Sequence, residues 1–292
     1  MLRRLIFTVA CLLSWAVLGQ AAIGQETGSI PREHHPWGRY EPGAWKSVRV
    51  ATETFDAAGQ ATNISISDTH STLEAADEQT FTLRIESSVE VAGKRITAAP
   101  QTVVQRYDGA PADQKLVPGA SGSDRVLIDG APYNCDILQL ETSGPMTRTL
   151  TKTFYCKTLM PYVLRRETTT TNTQTNVVVG RSTLETIALD MPTKLGLQTL
   201  PASHLKATQQ HEKGTNVTLL VTSFEVPGGV LSHSSKELDT EGRLVRRSTL
   251  ELLDFGDTPE IEGEVEVPAP RRSRFFRRHR VRGGSVPLNR SE

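Results

Sequence analysis

Side chains that can do chemistry are sparse in this chain. The densest group is Ser232-His233-Ser234-Ser235-Lys236, with Asp239 three residues further on. A hydroxyl, an imidazole and a carboxylate of this kind hydrolyse esters or amides when the base takes the nucleophile's proton. The spacing opposes that use. Neighbouring side chains on a strand point to opposite faces, so His233 and Ser234 do not meet. Ser235 shares a face with His233 but stands about 6.5 Å away along the strand. A hydrolase would need further groups from distant segments. Glu33-His34-His35 offers the ligand types that hold a metal, but within a polar, turn-rich stretch expected to form a flexible arm over 25–36. His211-Glu212 has no second histidine four residues after the first. The sequence has no Gly-x-Ser-x-Gly elbow, no Walker loop and no Gly-x-Gly-x-x-Gly fingerprint. It therefore points to no catalytic residue, no metal set and no cofactor.

Two features place the chain outside the cytoplasm. Arg3 and Arg4 precede an almost wholly apolar run, Leu5 to Leu18, and Ala22-Ile23-Gly24 presents small residues for cleavage. This is the pattern of a secretory signal over 1–24, with an apolar run too short to span a bilayer of about 30 Å comfortably. The mature chain then keeps two cysteines, Cys135 and Cys156. Ser143-Gly144-Pro145-Met146 lies at their midpoint and reads as a turn. Folding Tyr133–Thr142 back on Thr147–Cys156 sets Cys135 opposite Cys156. The expectation is a disulfide across this hairpin, worth about 3 kcal/mol in the chain-entropy model.

The net charge of zero conceals an asymmetry. Residues 25–250 carry 23 basic and 25 acidic side chains, residues 251–270 carry seven acids and no base, and residues 271–292 carry eight Arg and one Glu. Arg271, Arg272, Arg274, Phe275, Phe276, Arg277, Arg278, Arg280 and Arg282 form a basic, Phe-bearing run after Val267-Pro268-Ala269-Pro270. Like charge at this density opposes compact folding, so 257–292 reads as a disordered acidic-then-basic tail. The run suits an anionic membrane surface or lipid, at about 1 kcal/mol per basic residue near the surface. An envelope protein is a second partner class, and export argues against nucleic acid.

The elements that must position these groups read as strands. From Phe81, the residues Phe81, Leu83, Ile85, Val89 and Val91 alternate with Thr82, Arg84, Glu86, Ser88 and Glu90. That period of two marks a strand with one wet face. Ile64 and Ile66, between Ser65 and Ser67, repeat it. Asp56-Ala57-Ala58-Gly59 and Asp239-Thr240-Glu241-Gly242 share a turn chemistry. The Asp carboxylate accepts backbone N–H bonds, and the Gly takes the left-handed conformation. Ala92-Gly93-Lys94, Asp129-Gly130 and Glu212-Lys213-Gly214 read as further hairpin turns. Trp37 and Trp45 are expected to cover one end of the sheet. Only 5% of residues are aromatic, and no stretch of the mature chain reads as an amphipathic helix.

His35-Pro36-Trp37-Gly38-Arg39-Tyr40-Glu41-Pro42-Gly43-Ala44-Trp45-Lys46 resembles the opening of uncharacterised exported bacterial proteins rich in β-structure. Val230 to Leu253 resembles their closing part. The resemblance implies no activity. The arrangement is also distantly similar, at the level of fold, to the curved sheets of periplasmic lipoprotein carriers. The chain is accordingly expected to be all-β: antiparallel meanders over 37–256, dividing at 37–110 and 115–256, curved into a half-barrel or open sandwich. The expected role is non-catalytic, with an apolar ligand or a protein partner on the concave sheet. The alternatives are a hydrolase with a dispersed site and a structural or assembly protein.

Overall fold

The computed structural model describes residues 30–107, 116–118 and 122–258. The leader expected over 1–24 and the basic run at 271–282 lie outside them. Within them the chain is almost wholly antiparallel β, as expected. One three-residue 3-10 turn, Arg32–His34, is the helical exception among the described residues.

Among the described residues fifteen strands form one sheet. They are β1 (Trp45–Phe55), β2 (Ala61–Ala76), β3 (Thr80–Val91), β4 (Lys94–Thr97), β5 (Gln101–Arg106), β6 (Leu116–Pro118), β7 (Gly122–Ile128) and β8 (Ala131–Ser143). There follow β9 (Thr147–Tyr155), β10 (Val163–Asn172), β11 (Val178–Leu195), β12 (Gln198–His211), β13 (Gly214–Thr222), β14 (Val230–Asp239) and β15 (Leu244–Gly256). The spatial order is β4-β3-β2-β1-β15-β14-β13-β12-β11-β10-β9-β8-β6, with β5 also on β3 and β7 also on β8. Two meanders, β1–β5 and β6–β15, are thus joined where β1 pairs with β15.

The turns are built as their residues dictate. Asp56 Oδ1 accepts the N–H groups of Ala58 and Gln60, and Asp239 Oδ1 accepts those of Glu241 and Arg243. Gly59 and Gly242 follow at positive φ. Ala92-Gly93 and Asp129-Gly130 are left-handed at both positions, the geometry that matches strand twist in a two-residue hairpin.

The sheet is unclosed and curved. Flat, thirteen strand positions spaced about 4.8 Å apart would hold the two edges roughly 58 Å apart. The chain crosses from the β5 edge to the β6 edge between Arg106 and Leu116, and ten extended residues reach at most about 36 Å. The edges must therefore approach. The inward row on β3 is Phe81, Leu83 and Ile85, as the alternation predicts. On β2 the expectation fails. Ile64 and Ile66 are exposed, and Ser67, Thr69, Ser71 and Leu73 face inward. The register with β1 pairs Ser67 with Val50 and Ile66 with Ala51, so the inward face of β1 draws the serines with it. The Thr-rich stretch of β10 lies between β9 and β11, with Thr149–Thr170 and Thr151–Thr168 hydroxyl pairs at 3.2 and 3.3 Å.

Residues 30–36, expected as a loose arm, are packed. Ile30 is buried with Leu138, Tyr155 and Val163 of β8–β10. Trp37 and Ala44 are buried with Leu73, Phe81 and Leu83 of β2–β3. The segment 30–44 therefore straps across the concave side, from one arm of the curved sheet to the other. Gly38 makes this path feasible, because a Cβ there would lie 2.1 Å from the Arg32 carbonyl oxygen. Gly38→Ala is expected to cost about 1–3 kcal/mol by forcing the strap backbone apart, read as a shift in the denaturant midpoint at unchanged m-value.

Candidate binding cavity

Three segments cap one end of the concave face: the strap, the β9–β10 loop over 156–162, and the β13–β14 loop over 223–229. They are tied to one another. The His34 ring stacks on Tyr162 at 3.7 Å between centroids, and its Nδ1 is 2.6 Å from the Tyr155 hydroxyl. Tyr162 meets Phe224 edge-on at 5.2 Å. The Tyr40 hydroxyl donates to the Phe224 carbonyl at 3.0 Å, and Gly228 N–H donates to the Pro36 carbonyl at 3.1 Å. His35 is 6% exposed, seated between Phe81 and Tyr107, with its Nδ1 accepting the Trp37 N–H at 3.2 Å. Burial, and next the nearby Arg166 guanidinium, push its imidazole down to about 3, so His35 is neutral at ordinary pH. Glu33-His34-His35 is thus a packing element, and the described residues contain no cluster that could hold a metal. The polar look of this segment concealed its burial, because the partners that bury it, Phe81, Tyr107, Tyr155 and Tyr162, are remote in sequence.

Beneath the cap lies a cavity of about 310 Å³. Its walls are largely apolar, with Val48 and Val50 of β1, Leu83 of β3, Leu220 of β13 and Leu250 of β15 among them. Ser67, Ser248, Ser235 and Asn216 make a polar stretch further along the same face. There the Arg246 guanidinium lies 2.6 Å from the Glu237 carboxylate. This volume falls near the lower end of the range that encloses small ligands, about 300–1,000 Å³.

His233 and Ser235 both face this cavity, as their shared parity requires. They do not form a catalytic pair. Ser235 Oγ donates to Asn216 Oδ1 at 2.8 Å and accepts from Thr218 Oγ1 at 3.0 Å, so its proton is committed to an amide. Burial lowers the His233 pKa, leaving a neutral ring between Leu220 and Leu250. Glu237 stands four residues along the strand, about 13 Å away, and pairs with Arg246.

Lys46 was not apparent as a site residue. It lies on β1 at the parity of Val48 and Val50, and its side chain enters the cavity just below the cap. Its ammonium stands 5.4 Å from the centroid of the Trp37 indole, and no hydrogen bond or ion pair with a described residue engages it. Desolvation lowers its pKa to about 8. Trp37 is 6% exposed, and its indole N–H likewise donates to no described residue. A Cβ on Gly228 would lie 2.6 Å from both Lys46 Nζ and Trp37 Nε1. Glycine, at φ +68°, lets both side-chain ends pack against the backbone of this loop. The signal available in the sequence was a lone lysine on the apolar row of a strand.

Cys135 and Cys156 face each other, one step beyond the β8–β9 pair Asp136–Tyr155. Both are buried in one cluster with Val126, Phe154 and Leu164. The expected disulfide is not formed in the structure, where both are free thiols. The sulfurs turn to different neighbours: Cys135 Sγ to the Tyr133 carbonyl and Cys156 Sγ to Thr158 Oγ1, each at 3.7 Å. Burial, and next the adjacent Cys156, raise the Cys135 thiol to about 11, so it is protonated at ordinary pH and a slow nucleophile. The tail residues Arg271, Arg272, Arg274, Phe275, Phe276, Arg277, Arg278, Arg280 and Arg282 lie outside the described residues.

No protein-family profile and no curated protein sequence matches the chain. Among solved structures it is similar to a proposed lipoprotein from Parabacteroides distasonis ATCC 8503, at 9% identity and a TM-score of 0.32, over 74% of this chain and 97% of that one. It is also similar to a proposed exported protein with a YmcC-like fold from Bacteroides fragilis NCTC 9343, at 12% identity and a TM-score of 0.30, over 74% of this chain and 98% of that one.

Proposed function

We propose that the protein is an exported, non-catalytic binder of an apolar ligand, held in the cavity between the concave sheet and its cap. The apolar-walled 310 Å³ cavity carries this reading. A closed β core fills its interior with side chains at close packing. Here serines and threonines on β2 leave the space unfilled. The test is to fill it: Thr69→Trp projects an indole from β2 into the cavity. Displacement of a fluorescent apolar probe by dodecanol should be lost in Thr69→Trp, with the melting temperature unchanged or raised. Probe binding equal to wild type in that variant would remove the reading.

The basic run at 271–282 belongs to the same proposal as the part that keeps the protein beside an anionic surface. Deleting 271–292 is expected to abolish salt-sensitive binding to phosphatidylglycerol vesicles while leaving probe binding intact. Export also exposes Cys135 and Cys156 to oxidants. Their opposed positions, Cys135 on β8 and Cys156 just past the end of β9, predict a bridge on mild oxidation, seen as the loss of two hydrogens in the intact mass and of both thiols in a maleimide assay.

A further inference from the structure

We propose that the cavity takes a single-chain amphiphile with an anionic head group, the head held by the Lys46 ammonium and the Trp37 indole N–H in front of Gly228. The proposal rests on the apolar-ligand reading and specifies what the ligand carries.

Charge balance within the cavity leads to it. Glu237 and Arg246 neutralise each other, and Arg247 pairs with Glu53. His35 and His233 are held neutral by burial. Lys46 is left as the uncompensated charge among the described lining residues, with no carboxylate opposite it. Lys46 is half-buried, and an ammonium drawn partly out of water without a counter-charge is costly. The indole face beside it offers a cation–π contact of the order of 1 kcal/mol, which offsets only part of that cost. The second observation is the indole N–H. Trp37 is 6% exposed as a residue, but its N–H keeps access to solvent and has no acceptor among the described residues. Both donors stand 2.6 Å from the one point where a side chain on Gly228 would begin. The two nitrogens are therefore at most about 5.2 Å apart, twice 2.6 Å, close enough for one carboxylate or phosphate beside the loop to accept from both. From that point the inward row of β1 continues as Val48 and Val50, beside Leu83 and Leu250, an apolar wall suited to an alkyl chain.

The experiment is calorimetric titration of the delipidated full-length protein with four ligands sharing one tail: dodecanoate, dodecyl phosphate, dodecanol and dodecyltrimethylammonium. Wild type should bind the two anions at least tenfold more tightly than dodecanol, and the cation most weakly. Lys46→Met should erase the preference for the anions over dodecanol. Lys46→Gln gives the same readout if the Met variant does not fold. The tighter of the two anions distinguishes a fatty carboxylate from a phosphate-headed lipid. Equal binding of dodecanol and the anions by wild type would overturn the head-group assignment and leave the apolar cavity standing. So would a preference that survives in both Lys46 variants. Binding of none of the four would remove the apolar-ligand reading itself.

Discussion

Lowering the pH from 6.5 to 3 should destabilise the wild-type protein by up to about 4–5 kcal/mol more than a His35→Asn variant. The free imidazole of an unfolded chain titrates near 6.5, whereas burial against Phe81 and Tyr107, together with the Arg166 charge, holds His35 near 3. Between those values the unfolded chain binds a proton that the folded chain does not, so stability falls as pH falls. The contribution is complete above about 6.5, declines through the window and is fully lost below about 3. One pKa unit corresponds to about 1.4 kcal/mol, which sets the upper bound. Asparagine keeps an acceptor for the Trp37 N–H and does not titrate. Carboxylates with lowered pKa values, Asp68, Asp77 and Asp239, also weaken the fold in acid. The readout is therefore the difference between the two proteins in urea midpoints across pH, which cancels them. Equal pH dependence in both would show that His35 accepts its proton without leaving its seat. Because His35 anchors the strap, hydrogen exchange in residues 30–44 should accelerate before the rest of the sheet does.

Lys46→Met should raise the stability of the ligand-free protein at pH 7 by up to about 3 kcal/mol. The ordinary lysine value of 10.5 falls to about 8 in the cavity. Between 8 and 10.5 the unfolded chain holds a proton that the folded chain lacks, so wild-type stability climbs with pH through that window. The gain from methionine should be full below pH 8 and fade towards 10.5. The direction is opposite to that of most core substitutions, which destabilise. Wild type saturated with an anionic amphiphile should recover much of the difference, because the bound charge compensates the ammonium. A destabilised Lys46→Met at pH 7 would show instead that the lysine stem packs more than its charge costs.

Much of the scaffold could be read directly from residues. The alternation from Phe81 marked β3 and its inward face, and the twin Asp-to-Gly turns at 56–59 and 239–242 closed as their chemistry required. The Cys135–Cys156 opposition followed from a turn and a midpoint. These are local signals, in which each residue's role depends on its immediate neighbours. The faces of β2 were misread because hydrophobicity alone placed Ile64 and Ile66 inward. The register with Val48 and Val50 decides the matter, and the cavity tolerates Ser67 and Thr69 on the inner face. The strap was misread because His34 and His35 look solvated until Tyr162 and Phe81 arrive from elsewhere. The same limit hid the site. Lys46, Trp37 and Gly228 are spread over almost 200 residues, and only the β1–β15 junction and the 223–229 loop bring them together.

That junction has a consequence for how the chain could be rewired. Trp45 pairs with Gly256, so the two ends of the sheet-forming sequence meet in the middle of the sheet, while its outermost strands are linked between Tyr107 and Leu116. Moving the chain break to that link and bridging the old ends would give a circular permutant whose strands run β6 to β15 and then β1 to β5. In that order consecutive strands on the principal path would also be spatial neighbours, with β7 between β6 and β8 as the exception, and the strap over 30–44 would lie between β15 and β1.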